Sequence, residues 1–535
     1  MSAQGDIRMQ VRDLRVVLGE TGEEILKGVS FELQAGRIFA LVGESGSGKS
    51  VTSMAAMRLL PDALEITGGA VEVSGRDLFN LSESRMQSVR GRRVAMIFQN
   101  AMTALNPVQS VGQQVAETLR LHTTLRGDGL RERVTQLFSE VGIPDPAERY
   151  HFYPHQMSGG QQQRVMIAMA LACEPEILIA DEPTTALDVT IQEQVLELIR
   201  ELTRSRQLAV LLITHDMGVV RNTADRVAVM YRGEIIEQAP VDDFFHNPRE
   251  EYSRRLIDAL PDLSHFQSVA VEQPLLQVDE VKVYFPIRKG VLQRVVDYTR
   301  AVDGVSLAIG RGETYALVGE SGSGKSTLGR AILNLDEIAG GAIRFKGESI
   351  EGLPRAAMLP YRKKIQVIFQ NPYSSMNPRL TVGEIISEGM VSLGLELSSV
   401  QRQERIKQLL ERVQLGPEFS QRYPHEFSGG QLQRIAIARA LAVEPELIIC
   451  DEPTSALDVS IRAEVLDLLQ ELQREFGVSY LFITHDLSIV PSLAHHVGVM
   501  QLGKIVEQGS AEQILTAPRH PYTQALLASV PRIDP

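Results

Sequence analysis

Uninterrupted apolar runs that end in acidic or polar residues recur along the chain. Two of them in the first half are residues 176–182, EILIADE, and residues 208–216, LAVLLITHD. Such runs are typical of parallel strands that are covered on both faces. After Asp188 apolar residues recur at helical spacing instead: Val195, Leu196, Ile199 and Leu202. Strands that alternate with helices in this way predict an α/β fold with a parallel sheet.

The chain contains two copies of one long pattern. The run ALVGESGSGKS occurs at residues 40–50 and again, unchanged, at residues 316–326. Four further landmarks follow in the same order in both halves: IFQN from Ile97 and Ile368, SGGQ from Ser158 and Ser428, DEPT from Asp181 and Asp451, and ITHD from Ile213 and Ile483. A period this long excludes a solenoid, whose units are too small to fold alone. Each half is therefore predicted to be a complete domain.

The repeat also predicts the domain boundaries. We expect a first domain at residues 1–262, a linker at 263–274 and a second domain at 275–535, because a polar, proline-containing stretch precedes the strand-like LLQVDEVKVYF. Both halves end in similar segments, NPREEYSRRLIDALP from Asn247 and APRHPYTQALLASVP from Ala517. The duplication therefore includes these tails.

Composition narrows the class of protein. The 535 residues carry a net charge of -13, which argues against a primary nucleic-acid binder. The two cysteines, Cys173 and Cys450, lie beside apolar runs, so we expect buried thiols, no disulfide framework and a reducing compartment. No secretory signal is recognisable, and no apolar run approaches the roughly 20 residues of a membrane helix, so any membrane role is expected to come through partners.

Residues 43–50 and 319–326 fit the phosphate-binding loop G-x-x-x-x-G-K-[ST] after an apolar strand and before a helix. Glycines let successive N–H groups point at phosphate oxygens, and the helix N-terminus adds a favourable dipole. Lys49 and Lys325 are expected to reach the β- and γ-phosphates, and Ser50 and Ser326 to bind Mg²⁺. A chance glycine-rich turn is the alternative, but two copies in context argue against it. The candidate ATP-binding residues here are Gly43, Glu44, Ser45, Gly46, Ser47, Gly48, Lys49, Ser50, Val51, Gly319, Glu320, Ser321, Gly322, Ser323, Gly324, Lys325, Ser326 and Thr327.

Two adjacent carboxylates end one strand in each half. Asp181 and Asp451 stand where a carboxylate binds a metal directly or through water, although capping of a helix is the alternative. The neighbouring Glu182 and Glu452 favour function, because two adjacent carboxylates at a strand end repel each other without a cation. We assign the aspartates to Mg²⁺ and the glutamates to polarising the water that attacks the γ-phosphate.

Polar residues also follow two other strands of each half. His215 and His485 recur at the same relative place, and we expect each to donate to the γ-phosphate and to hold the glutamate and the water in line. A structural histidine is the alternative. Gln99 and Gln370 are weaker candidates that would bind Mg²⁺ or water through their amide oxygens.

A second glycine-rich turn in each half precedes a helical run. It offers another anion-binding helix N-terminus, and simple capping is the alternative that spacing alone leaves open. The residues are Ser158, Gly159, Gly160, Gln161, Ser428, Gly429, Gly430 and Gln431.

Taken together, GESGSGKS, FQN, SGGQ, DEPT, ALD and ITHD in this order resemble the ATPase subunits of ABC transporters, and the resemblance covers essentially the whole chain twice. It implies tandem P-loop ATPase domains of RecA type, each with a helical signature subdomain and an antiparallel β subdomain. It also implies that each SGGQ closes over ATP held by the opposite domain. Lys49, Asp181 and Glu182 would then act with Ser428, Gly430 and Gln431, and Lys325, Asp451 and Glu452 with Ser158, Gly160 and Gln161.

Finer features resemble the oligopeptide and dipeptide importer branch: FQNAMTALNPVQSVGQQ, FQNPYSSMNPRLTVGE and the APRHPYTQALL tail. This resemblance implies ATP-driven import of peptides or peptide-like compounds, including the microcin C type. It implies a periplasmic binding protein and two integral-membrane permeases, which would dock near residues 100–107 and 371–378. One tandem chain would serve each transporter at the cytoplasmic face of the inner membrane, without a homodimer and without nucleic acid.

Three details differ from relatives of this type. Met157 and Phe427 stand where the signature usually has leucine, and no cysteine cluster that would bind iron and sulfur is present near the C-terminus. Phe285 is placed to stack on adenine, whereas the matching residue of the first half is Leu18. We therefore expect weaker adenine stacking at the first site.

Other classes of tandem ATPase remain as alternatives. An ABC-F factor acting on ribosomes would have a long charged linker, and here the linker is short. A DNA-repair ATPase would need zinc-ligating cysteines, and a chromosome-structure ATPase would need a long coiled coil. The sequence shows neither feature. A tandem sugar-importer ATPase commonly departs from consensus in its second half, and here both halves are intact.

Overall fold

The computed structural model describes residues 6–99, 101–184, 189–258, 274–289, 294–455, 457 and 459–528. These residues form two compact units, 6–258 and 274–528. Residues 263–273 of the predicted linker lie outside the described residues, as do Asn100 and the ALD motifs apart from Leu457.

The first unit is built from ten strands and eleven α-helices within the described residues. The strands are Ile7–Leu18 (β1), Glu24–Gln34 (β2), Ile38–Val42 (β3), Leu64–Val73 (β4), Arg76–Asp77 (β5), Val94–Ile97 (β6), Ile177–Asp181 (β7), Ala209–Ile213 (β8), Arg226–Tyr231 (β9) and Glu234–Pro240 (β10). The helices are Lys49–Ala56 (α1), Glu83–Val89 (α2), Ala101–Ala104 (α3), Val111–His122 (α4), Gly127–Glu140 (α5), Pro146–Arg149 (α6), Gly159–Leu171 (α7), Val189–Arg206 (α8), Met217–Thr223 (α9), Val241–His246 (α10) and Glu251–Asp258 (α11).

The second unit repeats the order of the strands and has nine α-helices within its described residues. Its strands are Pro274–Lys289 (β11), Arg294–Gly310 (β12), Thr314–Val318 (β13), Gly340–Phe345 (β14), Glu348–Ser349 (β15), Ile365–Ile368 (β16), Leu447–Asp451 (β17), Ser479–Thr484 (β18), His496–Gln501 (β19) and Lys504–Ser510 (β20). Its helices are Lys325–Ile332 (α12), Arg355–Lys364 (α13), Val382–Ser392 (α14), Ser399–Arg412 (α15), Gly429–Leu441 (α16), Val459–Phe476 (α17), Val490–Leu493 (α18), Ala511–Thr516 (α19) and Pro521–Ala528 (α20).

A six-stranded sheet forms the centre of each unit. In the first unit its order is β10-β9-β3-β8-β7-β6, with every pair parallel except β9 and β10. The second unit has the same order, β20-β19-β13-β18-β17-β16. The two apolar runs of the first half are strands β7 and β8, and the helical pattern after Asp188 is α8, so the α/β prediction is confirmed.

Both faces of the central sheet are covered, as the continuous apolar runs predict. Ile179 and Leu211 pack into a core with the four-stranded antiparallel sheet β2-β1-β4-β5, whereas Ala180 and Leu212 pack into a core with helices α4, α5, α7 and α8. Successive residues of a strand point to opposite faces of the sheet. Since both faces are covered, successive positions of each run are apolar. The antiparallel and helical subdomains implied by the resemblance are thus present.

Within the described residues, none of the helices combines the length and apolar character that crossing a bilayer requires. The cysteines differ from each other. Cys450 is fully buried, as expected, but Cys173 is only partly buried, with Sγ lying 3.8 Å from the carbonyl oxygen of Thr118. The expectation of two buried thiols was therefore wrong for Cys173, because it lies on the margin of the helical core.

Candidate functional site

Each phosphate-binding loop joins a central strand of its sheet to a helix. In the first unit the loop connects β3 to α1, and Gly43 has a φ of 151°. A Cβ on Gly43 would lie 2.2 Å from the carbonyl oxygen of Met230, and one on Gly319 would lie 2.1 Å from that of Met500. Only glycine fits so close an approach, which explains the first residue of the motif.

The loop lysines are held inside their loops. The Lys49 side chain, 5% exposed, donates from Nζ to the carbonyl oxygens of Gly43 and Glu44, both at 2.7 Å. Lys325 makes the same contacts with Gly319 at 2.7 Å and Glu320 at 2.8 Å. The charge of each lysine is thus fixed beside the N-terminus of a helix, where binding of an anion is favoured.

The serine that follows each lysine contacts the aspartate that ends the strand two places away from the loop strand in the sheet. Ser50 Oγ donates to Asp181 Oδ1 at 3.2 Å, and Ser326 Oγ donates to Asp451 Oδ1 at 2.7 Å. Asp181 and Asp451 are the last residues of β7 and β17. A hydroxyl and a carboxylate therefore meet beside the lysine in both units.

Side chains lie within 3.1 Å of both oxygens of each candidate catalytic glutamate. Gln99 Nε2 donates to Glu182 Oε2 at 2.6 Å, and His215 Nδ1 lies 3.1 Å from Glu182 Oε1. In the second unit Gln370 Nε2 lies 2.8 Å from Glu452 Oε2, and His485 Nδ1 lies 3.1 Å from Glu452 Oε1. The histidine contacts are made by Nδ1, and the glutamine contacts are made by the amide nitrogen.

The backbone at these glutamates is strained. Glu182 and Glu452 each have a φ of 46°, in the left-handed region that residues other than glycine seldom adopt. Their N–H groups donate to the carbonyl oxygens of Ile213 and Ile483, both at 2.9 Å. Strain of this kind persists where surrounding contacts fix a side chain for function.

The electrostatics of the carboxylates follow from burial and charge. Burial raises the pKa of Asp181 to about 6. The Glu182 carboxylate also raises this pKa, whereas the hydrogen bond with Ser50 lowers it. Burial likewise raises the pKa of Asp451. Although burial opposes ionisation of Glu452, its contact with His485 holds the glutamate pKa below and the histidine pKa above the ordinary values. Adjacent carboxylates in a buried site are best stabilised by a cation.

The SGGQ serines cap helices. Gln161 N donates to Ser158 Oγ at 3.3 Å and Gln431 N to Ser428 Oγ at 3.4 Å, while each glutamine side chain accepts from the serine N–H. The capping alternative is therefore correct as a description of the helix start. It does not oppose ligand binding, because the other N–H groups of the first turn still point outward.

Comparison with known proteins decides the family. The profile of the ABC transporter family matches residues 26–185 and 302–455, and that of the oligopeptide/dipeptide transporter C-terminal region matches residues 236–281 and 506–535. The chain belongs to the ABC transporter family.

Two relatives extend over nearly the whole chain. The peptidoglycan transport ATP-binding protein YejF of Agrobacterium fabrum (strain C58) is 47% identical over 530 residues, which cover 98% of this chain and 97% of the relative. The glutathione import ATP-binding protein GsiA of Escherichia coli (strain K12) is 46% identical over 565 residues, covering 98% of this chain and 90% of the relative. This ABC chain is thus an ATP-binding ATPase of the oligopeptide/dipeptide importer branch, and the comparisons give no support to the ribosomal alternative.

The adenine-side candidates of the ABC chain differ between the units. Phe285 lies on a long hairpin of β11 and β12, opposite Thr299, with 43% of the residue exposed. Leu18 ends the shorter β1 and pairs with Leu64 of β4. An exposed aromatic face is therefore present in the second unit at the place where the first unit has a partly buried aliphatic side chain.

Two features of the site were missed from the sequence. The Gln99–Glu182 contact joins residues that are 83 positions apart, and the sequence predicted only a metal or water contact for the glutamine. Tyr252 and Tyr522, in the tails, accept hydrogen bonds from the loop residues Glu44 and Glu320. Recurrence of tyrosine at the same place in both tails was the only signal.

Proposed function

We propose that this chain hydrolyses ATP at two sites to drive the import of peptides or peptide-like compounds. The observation that carries the proposal is the duplication of an intact lysine, serine, aspartate, glutamate and histidine constellation, which makes the same contacts in both units. The tails of oligopeptide/dipeptide type, and relatives named for transport of peptidoglycan and of glutathione, which both contain peptide, support the substrate class.

The residues fit a magnesium ion. Among the described residues no group of three or more His, Cys, Asp or Glu side chains could hold a metal by itself. Mg²⁺, however, prefers oxygen ligands and shares them with phosphates and water. Ser50, Asp181 and the amide oxygen of Gln99 supply this donor set in the first unit, and Ser326, Asp451 and Gln370 in the second. When bound, the ion would neutralise charge on the β- and γ-phosphates.

The chain's own side chains would divide the remaining work. Lys49 and Lys325 bind phosphate oxygens. Glu182 and Glu452 would orient the attacking water and accept its proton, because each is a carboxylate that neighbouring glutamine and histidine side chains contact from two sides. His215 and His485 would hold these carboxylates through Nδ1–H and donate from Nε2–H to the γ-phosphate, a role that requires a proton on both ring nitrogens.

Each site is proposed to be completed by the other half. Ser428, Gly430 and Gln431 would close over the nucleotide on Lys49, and Ser158, Gly160 and Gln161 over the nucleotide on Lys325. The domains at 1–262 and 275–535 are joined by the linker 263–274, which raises the effective concentration of one half near the other to the order of millimolar. One chain would therefore suffice for one transporter.

The partners are proposed to be two integral-membrane permeases and a periplasmic peptide-binding protein. The permeases would dock on residues 100–107 and 371–378 at the cytoplasmic face of the inner membrane. Selectivity for the solute would lie in these partners.

Co-purification tests this assignment. We expect the chain to be isolated from membranes with two permease subunits, and we expect ATPase activity of that complex to rise when a peptide and its binding protein are added. Comigration with ribosomes, without stimulation by peptide, would contradict the importer assignment.

The adenine contact gives a smaller prediction. We expect ATP to bind the first site more weakly than the second by about 0.5–1.5 kcal/mol, because Leu18 offers no ring for stacking. Phe285→Leu should then bring the two affinities together. The affinity of each site is measured as the dissociation constant of ATP after the lysine of the other site has been replaced. Equal dissociation constants at the two sites, with Phe285 retained, would contradict weaker adenine stacking at the first site.

A further inference from the structure

Each unit ends in a tail helix whose start is fixed to the sheet by a carboxylate. Glu237 on β10 accepts from the N–H groups of Arg249 at 2.9 Å and Glu250 at 3.1 Å. In the second unit Glu507 on β20 accepts from Arg519 at 2.7 Å and His520 at 3.0 Å. The anchors place the following residues of α11 and α20 against the phosphate-binding loops.

A tyrosine from each tail reaches the loop. Glu44 N donates to Tyr252 Oη at 3.2 Å, and Glu320 N donates to Tyr522 Oη at 3.1 Å. The partners are 208 and 202 positions apart in the chain, yet the two units make the same contact. Repetition of the contact in two differing tail sequences argues for a role at the loop.

The contact falls on the peptide group that also holds the lysine. The N–H of Glu44 and the C=O of Gly43 belong to one planar amide, whose hydrogen donates to Tyr252 while its oxygen accepts from Lys49 at 2.7 Å. The amide between Gly319 and Glu320 is held by Tyr522 and Lys325 in the same way.

The orientation of this peptide plane depends on a hydrogen bond from outside the loop. Gly43 and Gly319 have no side chain because the carbonyl oxygens of Met230 and Met500 lie too close, so the torsions on one side of the amide are those of glycine. Glycine leaves the orientation of such a plane weakly specified. A hydrogen bond to the N–H edge fixes the plane, and thereby the direction of the carbonyl that orients the lysine.

We propose that Tyr252 and Tyr522 are positioning residues that orient Lys49 and Lys325 for the triphosphate through the Gly43–Glu44 and Gly319–Glu320 peptide groups. The tail of oligopeptide/dipeptide type is then part of the nucleotide site of its own unit. This inference rests on the proposed ATP hydrolysis at these loops.

The test is the steady-state kinetics of the full chain carrying Tyr252→Phe with Tyr522→Phe. Phenylalanine keeps the ring and removes the acceptor. A lysine that is oriented less firmly loses contacts with the ground state and the transition state alike, so the KM for ATP is expected to rise about three- to tenfold while kcat stays within about twofold. The midpoint of thermal unfolding without nucleotide should move little, since the ring packing is kept.

Two further variants sharpen the result. Tyr361→Phe removes a tyrosine hydroxyl that bonds to Glu348 and not to the loop, and it should leave KM unchanged. Glu237→Gln with Glu507→Gln weakens the tail anchors while keeping both tyrosines, and it should raise KM in the same direction. An unchanged KM in the tyrosine pair, or an equal rise in Tyr361→Phe, overturns the inference. Absence of ATP hydrolysis in the parent chain would instead reject the proposed function.

Discussion

Replacing Glu182 and Glu452 together by glutamine is expected to lower the ATP turnover of the chain by about 100-fold or more. The amide keeps the size of the side chain but cannot accept the proton of the attacking water, and general-base catalysis contributes about 10²- to 10⁴-fold. Because the two glutamates have the same backbone torsion and the same distance to their histidines, each single replacement should lower the rate to a similar extent. Steady-state phosphate release measures this.

Glutamates at the opposite ends of the same strands provide a matched control. Glu176 and Glu446 directly precede β7 and β17, and both make ion pairs at the surface. Replacing them by glutamine should leave turnover within about twofold, since partly exposed ion pairs contribute little. If Glu182→Gln abolished turnover while Glu452→Gln spared it, or the reverse, the assignment of two hydrolytic sites would be wrong.

Replacing a loop lysine should mainly affect ATP binding. Lys49→Ala is expected to weaken ATP binding at the first site about 10- to 100-fold, because a hydrogen-bonded charge facing the phosphates is lost, and Lys325→Ala should do the same at the second. The measurement is the dissociation constant of ATP at each site, obtained with the other site disabled.

A conservative variant separates charge from geometry. Lys49→Arg keeps the positive charge but not the fit to the two carbonyl oxygens of Gly43 and Glu44, so its affinity should lie between those of the parent and the alanine variant. Unchanged ATP binding in Lys49→Ala would show that Lys49 does not contribute to the ATP site.

The central sheet could be predicted because its rules are local. Strands β7 and β8 were predicted as buried parallel strands from their apolar runs, and His215 was expected to hold Glu182. Ser50 Oγ lies 3.2 Å from Asp181 Oδ1, and His215 Nδ1 lies 3.1 Å from Glu182 Oε1, which agrees with that expectation. The roles of these residues in hydrolysis remain predictions.

Other parts of the site could not be predicted because they depend on contacts between distant segments. Nothing near Gln99 in the sequence indicates that its amide nitrogen meets Glu182, and nothing near Tyr252 indicates that its hydroxyl meets Glu44. The left-handed backbone conformation of Glu182 could not be predicted from the sequence either. Glutamate disfavours this conformation, and only the surrounding contacts enforce it. The sequence indicated the duplicated tails but not their place beside the loops.

The most direct test of the account is an experimental structure of the chain carrying Glu182→Gln and Glu452→Gln, with ATP and Mg²⁺ bound. We predict that Ser428 lies within hydrogen-bond distance of the γ-phosphate held by Lys49, and Ser158 within the same distance of the γ-phosphate held by Lys325. A closed, nucleotide-bound structure in which either SGGQ segment faces solvent, away from any γ-phosphate, would contradict the proposal that each half completes the site of the other.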